Sequence, residues 1–99
     1  ADQAQALATV LNELVANSVE HGLADRDGLI EVRAEREGTS MTVTVADDGV
    51  GFVPGTPMSG LGTQIVHQMV RGELKGSIEW APREGGGTLV TLHASLDPA

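Results

Sequence analysis

The chain has 99 residues, 14 acidic and 6 basic, a formal charge of −8 and no cysteine. Its length suits one compact domain with a thin core, and an acidic surface without a Lys/Arg run excludes nucleic acid and anionic lipid as partners. Disulfides and thiol chemistry are excluded and zinc is disfavoured, while no stretch approaches the ~20 apolar residues of a membrane helix and no signal peptide opens the chain.

A cytoplasmic protein without direct membrane contact is therefore expected. A helical pattern begins almost at the first residue, and the chain ends just after a strand-like run. Residues 1–99 are thus expected to be a single domain excised from a longer protein.

In chain order, residues 4–21 carry helical periodicity, with Leu7, Val10, Leu11, Leu14, Val15 and Ser18 on one side. Gly22 reads as a C-cap and residues 25–28 as a turn. Ile30, Val32 and Ala34 alternate with charged residues, which predicts a strand with one wet face. Glu37-Gly38-Thr39 turns into a second strand over residues 41–46, where Val43 and Val45 share parity with Asp47. The Asp47 carboxylate is therefore predicted to point to the covered side. Residues 48–62, rich in glycine and proline, read as a loop across a cleft. A second helix follows over residues 61–70, with Leu61, Ile65, Val66 and Met69 as its apolar side. Residues 77–80 and 88–96 read as two further strands, separated by Gly85-Gly86-Gly87. The predicted fold is a two-layer α/β sandwich with helices on one face of a mixed, largely antiparallel sheet.

Three segments carry candidate chemistry. Glu13, Asn17 and His21 recur at i+4 along one edge of the first helix's apolar stripe, at the rim of the core. The Asn17 amide oxygen is a hard neutral ligand suited to a magnesium ion that already bridges phosphates. Glu13, one turn earlier, would orient or deprotonate a water. The same spacing also describes an ordinary helix with a polar edge. In Asp47-Asp48-Gly49-Val50-Gly51, a carboxylate at a strand end would accept from an amino group such as that of adenine, which guanine lacks at that position. The two glycines let the backbone approach a ring. An acidic turn is the plain alternative, and the spacing does not fit a calcium loop. Gly60-Leu61-Gly62 enters a helix and would offer free N–H groups to phosphate oxygens. It lacks both the P-loop lysine and the G-x-G-x-x-G pattern, and a hinge is its alternative.

Taken together and in this order, the three segments resemble the Bergerat-fold ATP-binding domains. Sensor histidine kinases, type II topoisomerases, ninety-kilodalton heat-shock chaperones and mismatch-repair ATPases share this fold. The resemblance spans essentially the whole chain and implies ATP and Mg2+ as cofactors. It implies that Asn17 chelates magnesium, that His21 touches phosphate, and that Asp47 with Gly49 and Gly51 binds adenine. It further implies that Gly60, Leu61 and Gly62 belong to the lid, and that Thr88, after Gly87, lies near the adenine-binding aspartate and its bridging water.

Within that group, Leu11 to Asn17, Gly60 to Val66 and Glu73 to Trp80 are most similar to the catalytic domain of soluble sensor histidine kinases. Such a domain donates the ATP γ-phosphoryl group to a histidine on a separate dimerisation and phosphotransfer domain, from which it passes to a response-regulator aspartate. In that scheme Glu13 would polarise the acceptor. Two rivals are an anti-sigma-factor serine kinase and a non-enzymatic partner-binding module. His67, His93 and Trp80 read as packing or surface residues, and Arg71 and Lys75 as solvated or phosphate-touching ones.

Overall fold

The computed structural model describes residues 3–17, 19, 28–49 and 61–96. Helix α1 (Gln3–Asn17) precedes strands β1 (Ile30–Glu37) and β2 (Ser40–Asp47). Helix α2 (Leu61–Arg71) precedes β3 (Ser77–Pro82) and β4 (Thr88–Ser95). The strands form one sheet in the order β1-β2-β4-β3, and every pairing among them is antiparallel. Both helices pack on one face, so the expected α/β sandwich is the observed one. The helical continuation to residue 21, the cap at Gly22, the turn at residues 25–27 and the loop over residues 50–60 lie outside the described residues.

Local chemistry accounts for the elements. The β1–β2 hairpin closes on Gly38 and Thr39, with Gly38 at φ 61°, a left-handed value that glycine adopts without strain. Alternation then sorts side chains by face. Val43 and Val45 of β2 and Val90, Leu92 and Ala94 of β4 point to the helices, where they meet Ala6, Val10 and Leu14 of α1 and Val66 and Val70 of α2. This core is wholly aliphatic, as a chain with one Phe and one Trp requires. Each fully buried Val or Leu contributes roughly 1.5–3 kcal/mol. Three core members of the helix layer were not singled out by periodicity: Ala6, Val70 in the last turn of α2, and Leu74 in the link after α2, which is 0% exposed.

One end of the sandwich is tied by hydrogen bonds. The Gln3 side chain donates to the carbonyls of Glu73 and Ser95, both at 2.9 Å. Ser95 N donates to Leu74 O at 2.8 Å and Leu96 N to Thr39 O at 2.7 Å. Gly76 sits here because a Cβ would collide with the His93 carbonyl. The start of α1, the end of α2 and the end of β4 therefore meet at this end. Among the described residues no helix is long and apolar enough to cross a membrane.

Candidate functional site

The opposite end of the sheet holds Asp47. It is the last residue of β2 and pairs with Ile30 on one side and Thr88 on the other. Its parity with Val43 and Val45 turns the side chain inward, as predicted, and leaves it 2% exposed, the one buried charged residue among those described. A buried carboxylate needs donors, and two backbone groups supply them: Gly49 N at 3.0 Å and Thr88 N at 3.3 Å, both donating to Oδ1. Oδ2 takes no hydrogen bond from the described residues.

The turn before β4 supports this arrangement. Gly85, Gly86 and Gly87 have φ of 89°, 114° and 98°, all in the left-handed region. Around the first two there is open space, but a Cβ on Gly87 would collide with the Asp47 carbonyl oxygen and come within 2.7 Å of its carbon and 3.0 Å of the Asp48 Cα. Gly87 thus lets β4 approach the Asp47 backbone closely enough for Thr88 N to reach the carboxylate. Spacing alone signalled this turn only as a glycine run, while the family resemblance pointed to Gly87-Thr88 as the pair near the aspartate.

Asp48 holds the same turn from the other side. Its Oδ1 accepts from Leu29 N at 2.9 Å, and its own N–H donates to Leu29 O at 3.3 Å. Behind the turn, Leu29, Glu31, Ala46, Asp47, Asp48 and Arg83 line an open cavity of about 150 Å³. That is below the ~300–1,000 Å³ of a small-molecule site.

Glu13 and Asn17 lie one turn apart on α1 and are half-buried, as rim residues should be. The helix starts beside Ser95 and rises about 21 Å over its 15 residues. Leu61 and Gly62 open α2, which ends at Arg71 near the Gln3 end. His21, Gly51 and Gly60 lie outside the described residues. Arg71 and Lys75 are exposed at the end remote from Asp47. The His67 ring packs against Trp80, with centroids 5.3 Å apart. His93 is on the uncovered face of the sheet, with Nδ1 3.3 Å from Thr42 Oγ1.

Comparison with known proteins agrees with this geometry. The family model described as histidine kinase-, DNA gyrase B-, and HSP90-like ATPase matches residues 2–98. The chain is 39% identical over 100 residues to the sensor histidine kinase PdtaS of Mycobacterium tuberculosis, covering 96% of this chain and 20% of that protein. It therefore spans about a fifth of that relative's length. The anti-sigma F factor of Clostridium novyi is 41% identical over 45 residues, which is 44% of this chain and 32% of that protein. Among solved structures, the histidine kinase domain of the Erythrobacter litoralis EL346 blue-light activated histidine kinase superposes with a TM-score of 0.83 at 30% identity. That match covers 95% of this chain and 45% of that one.

Proposed function

The chain belongs to the family of histidine kinase-, DNA gyrase B- and HSP90-like ATPases, and on that premise we propose that it is the catalytic domain of a sensor histidine kinase. The observation that carries the nucleotide reading is Asp47: a buried carboxylate at a strand end, with Oδ1 fixed by two backbone N–H groups and Oδ2 left to accept from the adenine amino group. The sensor-kinase reading is favoured over the anti-sigma one by extent. Similarity to the sensor kinase runs along 96% of the chain, against 44% for the anti-sigma factor.

The residues fit a magnesium–nucleotide complex better than a protein-held metal. No group of three His, Cys, Asp or Glu side chains that could hold an ion occurs among the described residues. Asn17 would contribute one amide oxygen to an ion otherwise held by phosphates and water. When bound, magnesium neutralises phosphate charge. The chain's own part is positioning: Asp47, with Gly49, Gly51 and Thr88, orients adenine, and the amides of Gly60, Leu61 and Gly62 together with His21 steady the phosphates. Glu13 polarises the acceptor. The acceptor is a histidine nitrogen on the parent's dimerisation domain; it bonds to the γ-phosphorus as the bond to the β–γ bridging oxygen breaks and ADP leaves. A response-regulator aspartate in the cytoplasm then receives the phosphoryl group.

Asn17→Asp is expected to weaken MgATP binding clearly and metal-free ADP binding much less, because the adenine contacts persist. Titrations with and without magnesium test this, and unchanged magnesium dependence with unchanged ATP affinity would remove the metal-ligand role. A second expectation concerns the reaction itself. Incubated with γ-labelled ATP, this chain should carry no acid-labile phosphohistidine. Phosphoryl transfer needs an acceptor about 3–3.5 Å away and in line. His67 is engaged by Trp80, and His93 sits on the sheet face away from the helices, while His21 in its proposed role donates to the phosphates from the side instead of attacking in line. Adding the parent's dimerisation helices should place label on those helices. Stoichiometric label on this chain would contradict the reading, and acid-stable phosphoserine on a small added partner would favour the serine-kinase alternative.

A further inference from the structure

We infer that Asp48 is a positioning residue for nucleotide binding, because its side chain stands in for a missing ladder bond where β2 leaves the sheet. This inference rests on the proposed role of Asp47 in reading adenine. The β1–β2 register ends at Ile30 opposite Asp47, so the next pair would be Leu29 with Asp48. In a hydrogen-bonded antiparallel pair, each residue donates its N–H to the other's carbonyl. Half of that exchange is present, since Asp48 N donates to Leu29 O at 3.3 Å. The other half is made by the side chain: Leu29 N donates to Asp48 Oδ1 at 2.9 Å, where the Asp48 carbonyl would be the acceptor in a continued ladder.

The substitution has a structural consequence. The backbone beyond Asp47 turns so that Gly49 N reaches Asp47 Oδ1 at 3.0 Å. A residue in a regular ladder would commit its carbonyl to the neighbouring strand and hold the chain extended. By satisfying Leu29 N with a side-chain oxygen, Asp48 lets the backbone bend at once while the bend stays tied to β1. The Asp47 carboxylate is thus framed from two directions, by Thr88 and Gly87 on the β4 side and by the Asp48–Leu29 bracket on the β1 side. Without the bracket, residues 48 and 49 lose one of their ties to the sheet, and the pocket edge they form becomes less ordered before nucleotide arrives. Ordering it again on binding costs affinity.

Asparagine offers the same acceptor atom without the charge, which separates the hydrogen bond from electrostatics. ADP titration and amide hydrogen exchange at Leu29, on the full chain, test the idea. In Asp48→Ala the Leu29 amide should exchange much faster and ADP binding should weaken about tenfold. Asp48→Asn should keep both within about twofold. Leu29→Pro, which removes the donor at the head of a strand where proline is tolerated, should reproduce the affinity loss. Combining it with Asp48→Ala should add little. Wild-type ADP affinity in either Asp48→Ala or Leu29→Pro would overturn the inference. So would an Asp48→Asn variant as weak as the alanine one, and so would fully additive losses. Failure of the underlying reading looks different: Asp47→Ala would then bind ADP like the wild type, while Leu29 exchange would still report the bracket.

Discussion

Alanine at Gly87 is expected to lose nucleotide binding and about 2–5 kcal/mol of folding stability, whereas alanine at Gly86 should cost only ~1–2 kcal/mol. Both glycines have left-handed φ, 98° and 114°, and both substitutions would strain the backbone. Only at Gly87 would the added methyl also meet the Asp47 carbonyl. Backbone cannot yield as a flexible side chain can. The strand would have to retreat from β2, stretching the 3.3 Å bond from Thr88 N to the carboxylate. Urea denaturation of Gly85→Ala, Gly86→Ala and Gly87→Ala, followed by ADP titration, makes the comparison. If the Gly87 variant is as stable as the Gly86 one and still binds ADP, the close approach is not what that position is for.

Asp47 should show the largest direct effect on ligand. Asp47→Ala is expected to weaken ADP binding by roughly 2–4 kcal/mol, about 30- to 1,000-fold, through loss of a buried charge-assisted hydrogen bond and its surrounding order. The change also strips the acceptor from Gly49 N and Thr88 N, so stability should fall by about 1–3 kcal/mol as well. Asp47→Asn separates the two effects. Its amide oxygen can serve the backbone donors, while its NH2 would face the adenine amino group, donor against donor. That variant should fold and still fail to bind ADP. Wild-type protein should prefer ATP and ADP over GTP, because guanine presents a carbonyl where adenine presents an amino group. Calorimetry with all three nucleotides reads this directly, and equal affinity for GTP would end the adenine assignment.

Much of the architecture was readable from local pattern. The 3.6-residue period located both helices, alternation located β1, parity along β2 turned Asp47 inward beside Val43 and Val45, and two further strand-like runs correspond to β3 and β4. These are statements about one element at a time. Side-chain direction within a helix or strand follows from backbone geometry alone. The apolar stripes were less well resolved. Ala6 is buried though small, and Leu74 is buried though it lies beyond the helix. Alanine adds little to an apolar pattern, and a link residue belongs to no period.

By itself, then, the sequence determined the order and type of the elements, the aliphatic core, the acidic surface and the inward-facing carboxylate. Each of these depends on neighbours a few residues away or on composition. Tertiary structure decided what lies across from what. It brought Gly87 against Asp47 from 40 positions along the chain, set Leu29 against Asp48 from 19 positions away, and packed His67 on Trp80. It also carried Arg71 and Lys75 to the far end of the sheet from Asp47. Sheet order and register fix those pairs, and they are set by how two helices and four strands bury one shared core. No window of a few residues contains that information, because the free energy that selects the register is distributed over the whole interface.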